Sequence, residues 1–178
     1  MQYRTHYSII NNTQYTTKCL ILSTQPASID GNDTTIDLIK NHHHFKQYGC
    51  VDIVNIVSNV GSSIDDFEAM NANIFSDKTR NTNKQKIQKL LTENRYNKIF
   101  VLTGQHFLTT RIRNHRNIYI EEFNAIIQLL IPYRDIVYCF GISQMLMIGQ
   151  VYYLPYCMCN RNTHRYLTNQ PIRWIFTT

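Results

Sequence analysis

The residues best placed for chemistry lie in a polar loop near the start of the chain. This loop, residues 25–28, contains Gln25 and Pro26 and follows the apolar run of residues 19–24. An apolar run that ends in a polar loop and then opens a helix is typical of a strand in an open α/β sheet. Ligands of such sheets bind at the carboxyl ends of the strands. We therefore expect Gln25 and Pro26 to border a ligand pocket.

A second group of candidate residues is basic. Residues 111–116 form the densest basic segment and follow the third predicted strand. Near the last loop, arginines and tyrosines interleave: Arg161, Arg165 and Arg173 with Tyr152, Tyr153 and Tyr156. Guanidinium groups beside aromatic rings suit single-stranded nucleic acid. A solvated loop beside aromatic core residues is the alternative interpretation.

Two clusters contain metal-ligand residue types without the spacing of a metal site. Adjacent helix residues point about 100° apart, so the three histidines at 42–44 cannot share one ion. Cys157 and Cys159 are closer in sequence than zinc ligands usually are, and together with His164 they lack a fourth ligand. The sequence contains no phosphate-binding glycine loop, catalytic serine elbow or His-Glu metal motif. We therefore expect no metal and no cofactor.

The pattern of apolar residues predicts strands that alternate with helices. Strands are predicted at residues 19–24, 50–57, 98–103 and 136–140, with strand-like segments at 150–156 and 172–176. Helices are predicted at residues 34–47, 64–70, 84–94 and 120–131. Residues 3–10 and 14–18 predict a peripheral hairpin within residues 1–18. The alternation predicts an α/β fold with a central, mostly parallel sheet covered on both faces.

The composition describes one basic domain. The 178 residues are 43% hydrophobic, with no linker-like stretch and no internal repeat, so we expect a single domain over residues 1–178. The net charge of +6 favours an anionic partner such as nucleic acid; an ordinary enzyme with a basic surface fits it equally well. No apolar run approaches the ~20 residues of a membrane helix, and the N-terminus lacks the apolar core of a signal peptide. We expect a cytoplasmic protein without a membrane partner.

Four segments, in order, resemble family 1643 of the bacterial domains of unknown function, which phages and mobile elements often carry. Residues 25–30 and 32–36 are similar to that family's Leu-Asn-Pro-Ser-Thr-Ala-Asp loop and the Asp-Asp-Pro-Thr-Ile that follows it. The family then has Gly-Tyr-Gly, which residues 47–49 resemble, followed by a strand that ends in Val-Asn-Leu, which residues 54–56 resemble. Thr103 and Gly104 resemble a Trp-Gly pair, and residues 154–156 resemble the end of His-Pro-Leu-Tyr.

That family in turn resembles the uracil-DNA glycosylase superfamily, which implies a three-layer α/β/α fold with its DNA-facing loops at one end of the sheet. In that superfamily a Gly-x-Asn-Pro or Gly-x-Asp-Pro loop positions the attacking water. A later His-Pro-Ser or Asn-Pro-Ser loop enters the DNA minor groove and stabilises the departing base. Here Gln25 stands in place of the Asn and Leu154 in place of the His. An apolar side chain cannot stabilise a base that leaves as an anion.

The resemblance implies a pocket formed by Gln25, Pro26, Asn55 and Tyr156. Asn55 would offer its amide to the edge of a pyrimidine base. Because Asn55 lies within an apolar run, a strand asparagine that satisfies backbone groups is the alternative.

We expect a non-catalytic or weakly catalytic relative of uracil-DNA glycosylases. Its partner would be nucleic acid, bound through the basic residues Arg111, Arg113, Arg116, Arg161 and Arg165, or a protein of DNA repair or replication. The first alternative is an active DNA glycosylase or another base-processing hydrolase. The second is a protein-interaction module, for instance a decoy for a glycosylase inhibitor that mimics DNA.

Overall fold

The computed structural model describes residues 2–61, 76–103, 116–147, 150–155 and 171–174. Several predicted features lie outside these described residues: the short helix at 64–70, the metal-like set Cys157, Cys159 and His164, the pocket residue Tyr156, and the basic residues Arg111, Arg113, Arg161 and Arg165. Within the described ranges, no helix combines the length and the apolar character needed to cross a membrane.

Eight strands form two sheets in the described part of the chain. They are β1 (Tyr7–Ile10), β2 (Lys18–Ser23), β3 (Cys50–Asn55), β4 (Lys98–Val101), β5 (Val137–Cys139), β6 (Ile142–Met147), β7 (Gln150–Pro155) and β8 (Ile172–Arg173). The main sheet has six strands in the order β1-β3-β2-β4-β5-β8. Its four inner strands are parallel, and β1 and β8 are antiparallel edges. The predicted mostly parallel sheet is thus confirmed.

Three α-helices in the described ranges cover both faces of this sheet. They are α1 (Thr34–Asn41), α2 (Asp77–Glu93) and α3 (Arg116–Leu130). One apolar cluster joins Leu22 and Val54 to Ile87 of α2 and Ile126 of α3; we call this side the α2/α3 face. The second cluster joins Ile21 and Ile53 to α1; we call this side the α1 face. Right-handed crossovers explain the division, because the chain moves across the sheet in one direction through α1 and in the other through α2 and α3.

The predicted hairpin within residues 1–18 does not form. Strand β1 pairs with β3, antiparallel, with Tyr7 opposite Ile53, and residues 14–17 form no strand with it. The alternating pattern correctly indicated an extended segment near residues 7–10, but a local pattern does not specify the partner. The free edge of β3 is the partner because Ser8, opposite Asp52, donates a hydrogen bond to its buried carboxylate.

Further segments also differ from the prediction. Helix α1 ends at Asn41 instead of residue 47, and a 3₁₀ turn, Phe45–Gln47, brings Phe45 edge-on to Phe100, with 5.2 Å between ring centroids. The predicted strand at 150–156 forms β7, which pairs with β6 in a separate two-stranded sheet. Arg116, predicted in a basic loop, is the first residue of α3.

Candidate functional site

The strand order predicts where a ligand crevice lies. From β2 the chain passes to β3 on one side and then returns to β4 on the other side. The order therefore reverses between β2 and β4, and ligands of such sheets bind beyond the carboxyl ends of the strands at this reversal. The segments that leave the sheet there begin with Thr24 after β2, Ile56 after β3 and Leu102 after β4.

Hydrogen bonds hold these three segments together beyond the ends of the strands. The N–H groups of Ile56 and Val57 donate to the carbonyls of Ser23 and Thr24, at 2.9 and 3.0 Å. The hydroxyl of Thr24 donates to the carbonyl of Thr103 at 2.6 Å and so bridges the reversal point. The carboxyl edge of the sheet is therefore an ordered surface on which side chains keep defined directions.

Asn55, the last residue of β3, has an unpaired amide at this edge. Its side chain is 1% exposed, and within the described structure neither its Nδ2 nor its Oδ1 has a hydrogen-bond partner. Val54 and Ile56 pack on the α2/α3 face, so Asn55 between them points to the α1 face. An unsatisfied buried polar group costs about 1–3 kcal/mol. In the described structure this asparagine side chain therefore satisfies no backbone group.

Gln25, by contrast, is half-buried and holds neighbouring backbone. Its Nε2 donates to the carbonyl of Gly61 at 2.9 Å. The N–H of Gly61 donates in return to the carbonyl of Pro26, also at 2.9 Å. The amide that stands at the predicted water-positioning place thus joins the loop after β2 to the segment after β3.

Arg4 and Asp33, both buried, connect the same two segments, a role for Arg4 that the sequence alone does not indicate. Asp33 caps α1, with its Oδ1 accepting from the N–H of Ile36 at 3.0 Å. Its Oδ2 accepts from Nη1 of Arg4 at 2.8 Å. Arg4 also donates from Nη1 to the carbonyl of Ser28 and from its backbone N–H to the carbonyl of Ser58, both at 2.8 Å. A charged residue near the N-terminus gives no sequence signal of burial.

A small cleft lies behind Asn55, on the α2/α3 face. It is lined by Ile56, Val57, Ser58, Asn59, Thr79, Arg80, Asn83 and Glu122. It has room for about one water molecule. Arg80 crosses it from α2 and donates from Nε to Glu122 on α3 at 2.6 Å. This partly buried ion pair fixes the two helices relative to each other.

A separate polar cluster lies around Asp52 in β3. Its Oδ1 accepts from Ser8 at 2.5 Å and lies 2.8 Å from Nε2 of His6, and its Oδ2 accepts from Tyr96 at 2.8 Å. Burial alone would raise the pKa of Asp52, but the hydrogen bonds outweigh it and lower the pKa to about 2. Ser8 and Asp52 both contact the same nitrogen of His6, whereas a nucleophilic triad uses both ring nitrogens. The cluster therefore ties β1 to the sheet and does not activate Ser8.

The histidines at 42–44 take part in aromatic packing. The rings of His42 and His43 stack at 4.6 Å, and His44 lies edge-on to Phe100 and Phe140. Burial, followed by the charge of Lys98, lowers the pKa of His44 to about 4. Among the residues that the structure describes, no three histidine, cysteine or acidic side chains are grouped as a metal site.

The predicted site residues are thus brought together in part. Gln25, Pro26 and Asn55 lie at one edge of the sheet. Leu154 lies in β7, outside the main sheet, and Arg116 begins α3.

No protein-family model, no curated protein and no solved structure matches this chain.

Proposed function

We propose that this chain binds a nucleobase of a nucleic acid at the carboxyl edge of its sheet, and that the amide of Asn55 pairs with the edge of the base. The observation that carries the proposal is the buried amide whose donor and acceptor are both unpaired in the described structure. A carboxamide presents a donor beside an acceptor. The hydrogen-bonding edge of a pyrimidine presents the complementary pair, and enzymes that flip bases read this edge.

The charge and the position of the amide support the same ligand class. A net charge of +6 favours a polyanion. Because Asn55 is 1% exposed, only a small group that enters the sheet edge can reach its amide. A protein partner that covers the outer surface would leave this amide unpaired. Binding of a base therefore accounts for the unpaired amide of Asn55 better than a decoy function does. A neighbouring segment must move aside as the base enters.

We propose that catalysis is absent or weak. Excision of a base needs a group that positions water and a donor that stabilises the departing anion. Gln25 donates from its amide to the carbonyl of Gly61, and Leu154 has no polar side-chain atom to donate. In this proposal Asn55 reads the base, whereas Gln25 and Leu154 stand at the two positions that would expel it and differ from the residues of the glycosylase superfamily.

The substitution Asn55→Leu tests base reading. Leucine has the same number and branching of side-chain heavy atoms and removes the unpaired amide, so the variant should be as stable as the wild type or more stable. Its affinity for a labelled single-stranded oligonucleotide that contains uracil should fall at least tenfold, since a base edge then meets an apolar group. Fluorescence anisotropy and thermal unfolding measure the two quantities. Asn81→Leu, on the exposed face of α2, is the matched control and should leave affinity unchanged.

Three outcomes would contradict the proposal. Equal affinity of the wild type and Asn55→Leu would remove Asn55 from the site. A large loss of stability in Asn55→Leu would mean that the amide is satisfied in solution and has a structural role. Absence of binding to any nucleic acid at low salt would favour the protein-interaction module instead.

A further inference from the structure

The backbone that carries Asn55 is held by a second buried asparagine. Asn83 lies in α2 and is 2% exposed. Its Nδ2 donates to the carbonyl of Asn55 at 3.0 Å and to the carbonyl of Ile56 at 3.1 Å. One amide group thus satisfies two consecutive carbonyls at the end of β3.

These two carbonyls lie where β3 leaves regular sheet geometry. In a regular strand, successive N–H groups point to opposite sides. Here the successive N–H groups of Ile56 and Val57 both donate toward the same side, to Ser23 at the end of β2 and to Thr24 directly after it. The regular ladder therefore stops directly after Asn55 and no longer sets the backbone direction there. The bonds from Asn83 supply the missing restraint.

Asn83 can act as a fixed point because α2 is itself anchored. Three residues before it, Arg80 donates to Glu122 at 2.6 Å and to Glu121 at 3.0 Å on α3. Four residues after it, Ile87 is fully buried in the apolar cluster of the α2/α3 face. The donor is therefore held on both sides along the helix.

We infer that Asn83 is a positioning residue, which sets the direction of the Asn55 amide and thereby the affinity of the site for a base. This inference rests on the proposed function. Asn55 has no side-chain partner of its own in the described structure, so the direction of its amide depends on its backbone and on packing. If Asn83 no longer donates to the Asn55 backbone, the Asn55 amide can move away from the geometry that the base requires.

The test compares Asn83→Ala with Ile87→Ala, a core truncation on the same helix that leaves the Asn83 side chain intact. Both variants should be less stable than the wild type. Only Asn83→Ala should weaken binding of the labelled uracil-containing oligonucleotide, by about three- to tenfold, the effect of one hydrogen bond. Only Asn83→Ala should shift the NMR resonances of the Asn55 side-chain amide. Asn83→Gln keeps a carboxamide donor and should recover part of the affinity.

Equal losses of affinity in Asn83→Ala and Ile87→Ala would assign Asn83 a purely structural role. Unchanged affinity and unchanged Asn55 resonances in Asn83→Ala would overturn the inference as well. If Asn83→Ala does not fold, Asn83→Gln is compared with the wild type instead. Shifted Asn55 resonances with wild-type affinity in Asn83→Gln would show that the direction of the Asn55 amide does not set the affinity, and would overturn the inference. If the wild-type protein binds no oligonucleotide, the proposed function fails, while the Asn55 resonances still show whether Asn83 sets the amide.

Discussion

Arg4 and Asp33 form a buried ion pair between two segments that are far apart in the sequence, with 2.8 Å between Nη1 and Oδ2 and side-chain exposures of 5% and 3%. Asp33 follows the loop that contains Gln25, and the backbone of Arg4 bonds to Ser58 in the segment after Asn55. The pair therefore links the two strand ends that border the candidate base site. Breaking it should affect stability and the site together.

Replacing Arg4 by methionine should strongly destabilise the fold. Arg4→Met leaves the Asp33 carboxylate buried without its counter-charge, which typically costs about 3–5 kcal/mol. Adding Asp33→Asn removes the stranded charge and keeps an oxygen that caps α1, so the double variant should recover much of the loss. Urea unfolding of both variants measures this. A loss below about 1 kcal/mol in Arg4→Met would show that the pair is not buried in solution.

The purified protein should excise uracil from DNA far more slowly than an ordinary glycosylase. Loss of one group that stabilises developing negative charge costs on the order of 10²–10³-fold in rate, and Leu154 offers no such group. Release of free uracil from a uracil-containing duplex measures the rate. Efficient, dose-dependent release that Gln25→Ala abolishes would identify an active glycosylase.

Stability should fall between about pH 4 and pH 2 because of Asp52. The hydrogen bonds from His6, Ser8 and Tyr96 outweigh burial and lower its pKa from 3.8 to about 2. A carboxyl whose pKa is lowered on folding stabilises the fold above its unfolded pKa, and this contribution disappears as the pH falls through its folded pKa. The contribution is about 2 kcal/mol.

Urea unfolding of the wild type and Asp52→Asn, from pH 5 to pH 2.5, isolates this contribution. The difference in unfolding free energy between the two should shrink as the pH falls. Asp135→Asn is the control, because Asp135 is 80% exposed. A difference that stays constant over this range would show that Asp52 titrates normally.

Nucleic-acid binding should depend on Arg111, Arg113 and Arg116 through phosphate contacts. Each phosphate that the protein neutralises contributes a slope of about −0.7 to −0.9 to the logarithm of affinity against the logarithm of salt concentration. Replacing the three arginines by alanine should weaken binding of all sequences alike and flatten this slope. Fluorescence anisotropy over a salt series measures both effects.

A matched control separates these arginines from net charge. Replacing Lys46, Lys78 and Lys89 by alanine removes the same total charge from exposed positions elsewhere. The lysine variant should keep most of the slope, since long-range charge is screened within about 10 Å at 0.1 M salt. Equal losses of affinity and of salt slope in the two triple variants would mean that overall charge, and not the arginine segment, drives association.

The sequence by itself determined the inner strands of this protein and the start of its first helix. The apolar runs at 19–24, 50–57 and 98–103 correspond to β2, β3 and β4, because a strand buried on both faces must be apolar along its length. The start of α1 follows from Asp33, whose side chain accepts the N–H of Ile36. The alternation of these elements was enough to predict a mostly parallel α/β sheet. It also located Gln25 directly after a strand, where ligands bind, whereas Asn55 was predicted inside the strand at 50–57 and only the structure ends β3 at this residue.

Only the tertiary structure decided which segments meet. β1 pairs with β3 and not with residues 14–18, and Arg4 is buried against Asp33. In both cases an open strand edge or a buried charge is satisfied by a partner that is distant in the sequence. The same holds for the central difference between the two amides. Gln25 and Asn55 look alike in the sequence, yet Gln25 finds the carbonyl of Gly61 while the amide of Asn55 is left without a partner in the described structure. Whether a buried polar group is satisfied depends on atoms that only folding brings within hydrogen-bond distance.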